Sequence, residues 1–166
     1  MKVIHLISGG DSGGAKTHVL SLLKHLNETI TAQLVCFRDG PFADEARQMG
    51  IPTMICGGNN VFRVQRQLTD YIRQGGYQVI HCHGSRANMI GALLRGTTGL
   101  PVVSTVHSDY KLDYMGRPLS RLTFGTINAW ALRRLDYRIG VSDAMVDLLI
   151  SRGFPADRFY AIYNGI

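Results

Sequence analysis

A chain of 166 residues that is 45% hydrophobic and 18% charged has the size of one ordinary domain and can bury a core, which excludes a disordered tail. Eighteen Lys and Arg against twelve Asp and Glu leave a net charge of +6 and a pI near 9.5. That balance suits either anionic partners (phosphate, nucleic acid, an acidic membrane surface) or simply a soluble basic surface.

The first apolar run, 2–8, leads into Ser8-Gly9-Gly10-Asp11-Ser12-Gly13-Gly14-Ala15-Lys16-Thr17-His18. Val19, Leu22, Leu23 and Leu26 then recur at helical spacing. Further strands are expected at 32–37, 53–56, 78–82, 102–105, 137–141 and 159–163. They are rich in Val, Ile and Tyr and mostly apolar throughout, as in a parallel sheet covered on both faces. Between them, Val61, Val64, Leu68, Tyr71 and Ile72 repeat at three and four, as do Met89, Ile90, Leu93 and Leu94. Ala87, Gly91 and Ala92 allow that second helix to pack closely, and Gly50, Gly75-Gly76 and Gly96 mark expected helix ends. A basic helix is expected from Pro118 to about Arg134. This alternation predicts an α/β fold: a Rossmann-like, doubly wound, mostly parallel sheet of about seven strands with helices on both faces.

The expected domain covers 1–163, with 164–166 opening a link to a second domain. Val3-Ile4-His5-Leu6-Ile7 is too short for a signal-peptide core, and no run of about 18 apolar residues occurs. Cys36, Cys56 and Cys82 lie in or beside apolar runs and read as reduced core thiols. A cytoplasmic location is expected.

Glycines ahead of a helix let backbone N–H groups approach a ligand, and the helix N-terminus adds about half a positive charge. The loop therefore reads as a phosphate or carboxylate site. A Walker A loop does not fit, because Ala15 separates Gly14 from Lys16. A dinucleotide fingerprint does not fit either, since G-x-G is missing, although Asp39 stands where a ribose-binding acid would.

His81 and His83 share one face of the fourth strand. A zinc site needs three or four ligands, so no metal is expected there, and crevice lining at the strand end is the preferred role. His107 ends the fifth strand. Ser108 and Asp109 adjoin it, but consecutive side chains point apart and make no triad. His18 is expected to face the same crevice, and Asp109 and Tyr110 to line it; His5 and His25 show no partner. The segment with Arg117, Arg121 and Trp130 suits either an anionic bilayer surface or an ordinary core helix with a solvated arginine face. Scattered basic residues and no nucleic-acid module argue against nucleic-acid binding.

Five segments in register resemble the N-terminal half of a large retaining glycosyltransferase family, which includes lipopolysaccharide glycosyltransferases, phosphatidylinositol mannosyltransferases and sucrose synthase. They are Gly13-Gly14-Ala15-Lys16-Thr17-His18-Val19, Val79-Ile80-His81-Cys82-His83, Val103-Ser104-Thr105-Val106-His107-Ser108-Asp109, Ile139-Gly140-Val141-Ser142 and Ile162-Tyr163-Asn164-Gly165-Ile166. The resemblance implies one half of a GT-B fold, in which a nucleoside-diphosphate sugar reacts with a hydroxyl acceptor, a glycan or a lipid-linked group. It maps donor-phosphate binding onto Gly13 and Gly14, and contact with the donor sugar near its reacting carbon onto His107. It implies no cofactor and no metal, and a fragment inactive without its second half; peripheral attachment to the inner face of a cell membrane is what the bilayer reading of the basic segment would add. Two alternatives stay open: a noncatalytic nucleotide- or sugar-binding subunit, and a nicotinamide-nucleotide-binding oxidoreductase domain.

Overall fold

Alternating strands and helices cover the central strands on both faces, and the chain does so by winding in two directions from its first strand. The computed structural model describes residues 1–10, 14–109 and 125–163. In chain order these form β1 (Lys2–Ile7), α1 (Gly14–Leu26), β2 (Thr31–Cys36), α2 (Pro41–Gln48), β3 (Thr53–Ile55), α3 (Val61–Gly75), β4 (Val79–His83) and α4 (Ser85–Thr98). β5 (Val102–Val106), α5 (Thr126–Arg134), β6 (Tyr137–Gly140), α6 (Asp143–Ser151) and β7 (Phe159–Ala161) follow.

The sheet has seven strands in the order β3-β2-β1-β4-β5-β6-β7. Every pairing is parallel. The expected strands are all present, each within two residues of its expected ends. Successive strand residues face opposite sides, and the core divides accordingly. Ile7, Leu34 and Cys36 pack against Val19, Leu20 and Leu23 of α1 and Phe42, Ala43 and Ala46 of α2. Their strand neighbours Ile4, Leu6, Val35, Ile80 and Cys82 face α3, α4, α5 and α6 through Leu68, Ile90, Leu132 and Leu149. The three cysteines are buried and form no disulfide.

Local chemistry sets the helix ends. Asn60 accepts the Arg63 N–H at 3.1 Å and starts α3; Ser142 accepts the Met145 N–H at 3.2 Å and starts α6. Each such cap contributes about 1 kcal/mol. Gly76 ends α3 in the left-handed conformation, φ 65°. Gly96 does not end a helix as expected. It lies inside α4, which stops at Gly99 with φ 70°. The basic helix is described only from Thr126, and its expected beginning lies outside the described residues.

Two polar clusters fix α5 against the sheet. Ser104 Oγ donates to Asn88 Oδ1 at 2.6 Å, and Asn88 Nδ2 donates to Asn128 Oδ1 at 2.9 Å. All three side chains are buried, and they join β5, α4 and α5. Arg138, only 1% exposed on β6, donates Nε to the Leu132 carbonyl at 2.7 Å and Nη2 to the Leu135 carbonyl at 2.9 Å. A helix C-terminus is electronegative, so the end of α5 offsets part of this charge; among the described residues no carboxylate bonds it. The ring faces of Phe154 and Phe159 lie 5.7 and 6.0 Å from its guanidinium.

Candidate functional site

In an open parallel sheet, ligands bind beyond the carboxyl ends of the strands, where the winding direction reverses. Here that point lies between β1 and β4. A cavity of about 320 Å³ opens there, lined by Ala15, His83, Ser85, Arg86, His107 and Asn128 among others. No carboxylate is among its described lining residues. The first turn of α4 borders it behind Gly84, which takes φ 86° and supplies no capping side chain. Arg86 donates to the Gly58 carbonyl at 2.6 Å and lies over the Phe37 ring at 5.3 Å. A helix N-terminus, a guanidinium and no acid together give a positive potential, suited to an anionic ligand.

The loop glycines divide by what surrounds them. Gly9 has φ +86°, and a Cβ there would stand 2.4 Å from the Arg38 carbonyl oxygen. A Cβ on Gly10 would fall on the Arg38 guanidinium. Gly9 is required by the passing backbone at Arg38, whereas at Gly10 the neighbour is the movable end of the Arg38 side chain. Gly14 begins α1, and nothing lies within 4 Å of a Cβ placed on it. Its surroundings are open. Gly13 lies outside the described residues, as do Tyr110, Arg117 and Arg121. Lys16 forms an ion pair with Glu45 of α2, and Asp39 bonds Arg47 at 3.1 Å on the surface.

The cavity's inner wall is a histidine cluster. Register alone assembles it: His5 is the direct partner of His81, His83 of Ile7, and Thr105 of His83. All of them face the side covered by α1 and α2. His5, which showed no partner in the sequence, bonds His83 through Nδ1 and Nε2 at 3.1 Å. His83 Nδ1 in turn bonds His107 Nε2 at 3.3 Å. The ring centroids are 5.4 and 5.6 Å apart with interplanar angles of 12° and 28°. Those separations equal the N···N distances plus two ring radii, so the rings lie end to end in nearly one plane. His81 stacks on His83 at 4.4 Å and bonds Thr105 Oγ1 at 2.8 Å through Nε2. His18 meets the edge of His107 at 5.0 Å. His25 bonds the Ser21 carbonyl within α1.

Nitrogens of His5, His81 and His83 lie within 4.8 Å of one another, so the third imidazole that the sequence lacked is present. Their geometry is that of a hydrogen-bonded stack. Lone pairs lie in the ring planes, and the plane of His81 is stacked at 22° on that of His83; such lone pairs run side by side instead of converging on an ion about 2 Å away.

Burial dominates the electrostatics. It lowers His107 from 6.5 to about 4, with a smaller push from the His18 charge. It lowers His5 to about 3, and, with neighbouring imidazoles, it holds His81 and His83 well below the usual range. At neutral pH the cluster is uncharged, and His107 is a hydrogen-bonding group instead of a cation.

Asp109 lies two residues beyond His107. Its carboxylate takes two bonds from the Arg152 guanidinium, at 2.5 and 2.6 Å, with both side chains largely buried. Trp130 on α5 is 41% exposed, under the Arg134 guanidinium at 4.7 Å. Ile127 beside it is 40% exposed. The sequence reading missed Arg86, Asn88, Asn128 and Arg152. For Arg86 a signal was present: Gly84-Ser85-Arg86 follows a strand and opens a helix, as Gly14 does. Among the described residues no helix is long and apolar enough to cross a membrane.

Residues 12–166 match the sequence profile of Glycosyltransferase Family 4. No curated protein matches the chain. Among solved structures, Anabaena HepE in complex with UDP superposes with a TM-score of 0.82 at 22% identity, covering 100% of this chain and 44% of HepE. The lipopolysaccharide outer core galactosyltransferase WaaB superposes at 0.72 and 15%, covering 100% and 46%. The UDP-GlcNAc 2-epimerase of Neisseria meningitidis superposes at 0.68 and 15%, covering 99% and 47%. The chain thus spans less than half of these proteins. The fold they share serves both transfer and epimerisation, so it does not by itself decide the chemistry.

Proposed function

The chain belongs to glycosyltransferase family 4, and on that premise we propose that it is the acceptor-side half of a retaining enzyme that moves a sugar from a nucleoside diphosphate to a hydroxyl acceptor. One observation carries the reading: His107 borders a cavity between β1 and β4 that has no carboxylate among its described lining residues, with the first turns of α1 and α4 at its rim. HepE has been solved with UDP-glucose, which makes UDP-sugars the first donors to try.

As the glycosidic bond breaks, negative charge grows on the departing diphosphate and positive charge on the sugar ring. Amides at Gly13 and Gly14 bind the departing charge more strongly in the transition state than in the ground state, and that difference accelerates the step. Neutral His107 orients the sugar by hydrogen bonding. The departing phosphate then takes the acceptor's proton on the same face, which retains the anomeric configuration. No metal or cofactor enters this scheme.

A second domain, outside this chain, supplies most of the donor contacts, and this half alone does not turn over. His18, His83, Asp109 and Tyr110 belong to the cleft. The acceptor is a glycan or a lipid-linked group; a cytoplasmic enzyme resting on an anionic membrane through Trp130, Arg117 and Arg121 would reach the latter. The half-exposed Trp130 and Ile127 beside Arg134 support that seat.

Retention is tested on the full-length enzyme by proton NMR of the linkage it makes. An α-configured donor should give an α-linked product, and a β-linked product would overturn the retaining assignment. A noncatalytic subunit differs in giving no product and no nucleotide.

A further inference from the structure

Three imidazoles end to end on a sheet face otherwise covered by apolar side chains call for a reason, because each buried polar group must be satisfied or forfeit its hydration. His107, His83 and His5 form a line in which each contact needs one proton. A neutral imidazole carries one N–H and one lone pair, so only two consistent arrangements exist. In the inward one, His107 Nε2–H donates to His83, His83 Nε2–H donates to His5, and the His5 proton sits on Nε2. In the outward one, His5 Nδ1–H donates to His83 Nε2, His83 Nδ1–H donates to His107 Nε2, and the His107 proton sits on Nδ1.

The far end of the line chooses between them. His5 is fully buried, and its Nε2 has no hydrogen-bond partner. The inward arrangement would strand an N–H there, and orphaned buried N–H groups are rare in folded proteins. The outward arrangement leaves only a bare lone pair. It also places the one N–H that the line does not consume on His107, at the cavity.

We propose that His83, backed by His5, is a positioning residue that fixes His107 in the Nδ1–H tautomer, so that His107 presents a hydrogen-bond donor to an oxygen of the ligand. His81 braces the line: it stacks on His83 and is itself anchored on Thr105. On the reading given above, the acceptor of that bond is an oxygen of the donor sugar, and the inference about the ligand rests on that reading. The low imidazole pKa values support the neutral state that the tautomer argument requires.

The test uses the full-length chain, with its histidines labelled with ¹⁵N, and two substitutions. In His83→Asn the carboxamide nitrogen stands in for Nδ1 and keeps a donor toward His107. In His83→Leu the donor is gone. Long-range ¹⁵N–¹H spectra of the wild type should show the His107 proton on Nδ1. His83→Leu should lower kcat for nucleotide release about tenfold, the worth of one neutral hydrogen bond, with donor KM changed less than about twofold. His83→Asn should recover most of that loss. A wild-type His107 protonated on Nε2 would overturn the proposal, and so would equal rates for the two variants. The tautomer is read without substrate. If the wild type releases no nucleotide from any donor, the glycosyltransferase reading fails while the tautomer assignment still stands or falls by its own spectrum, even where His83→Leu does not fold.

Discussion

Acidification is the most direct test of the buried histidines. His5, His81 and His83 are inaccessible in the fold, and burial holds all three neutral well below the ordinary imidazole range. An unfolded chain protonates the same rings below about pH 6.5. Below that pH the unfolded state therefore binds more protons than the folded one. Stability is full above about pH 6.5 and falls as the pH drops toward the folded values, about 3 for His5. Each ring contributes about 1.4 kcal/mol per pH unit across that window. Between about pH 7.5 and about pH 5.5 the three together remove about 4 kcal/mol, and His107, lowered to about 4, adds a share similar to each of theirs over the same window. Domains of this size are held by about 5–15 kcal/mol, so the loss is a large share. Urea unfolding followed by circular dichroism at several pH values measures it. The midpoint should fall steeply across the window, and His5→Leu should flatten the dependence by one proton. A midpoint that stays constant would refute the neutral, buried cluster.

Gly14→Pro should remove one amide from the loop with little harm to the helix, because Gly14 is the first residue of α1, its surroundings are open, and proline is favoured at that position. Turnover should collapse while the melting temperature stays within a few degrees; near-normal turnover would remove the loop from the mechanism. Arg152→Ala takes both guanidinium bonds from Asp109, whose side chain is 12% exposed, and should lower stability by about 2–3 kcal/mol, the range for hydrogen bonds to a charged group. That corresponds to about 6–10 °C by calorimetry, and an unchanged transition would show the pair to be ornamental. Turnover of the full-length enzyme should be unchanged in excess EDTA; a loss restored by a divalent cation would contradict the metal-free scheme.

The sheet was legible because its strands are short, mostly apolar runs, most of them set off by a nearby glycine, and burial on both faces makes such runs continuous. α2 was not read, since only Phe42, Ala43 and Ala46 of its eight residues are buried, and two alanines give little periodic signal. α6 escaped for a different reason: Ser142 was read as the end of a motif, whereas its side chain caps a helix. Gly96 misled because glycine is tolerated inside a helix where nothing contacts it. His107 and His83 could be found from their places at strand ends. His5 could not. Its bond to His83 spans 78 positions and depends on β1 lying beside β4, which the strand order decides and local sequence does not. The Asp109–Arg152 pair, 43 positions apart, was hidden in the same way.

Donor chemistry at His107 separates a transferase half from a binding subunit. It is tested most directly by nucleotide release from UDP-, GDP- and ADP-sugars, using the longest natural form of this chain and its His107→Ala variant. The wild type should hydrolyse one donor slowly, and the variant should lose that activity with its fold intact. No release from any donor, with the second domain present and folded, would contradict it and leave a binding subunit.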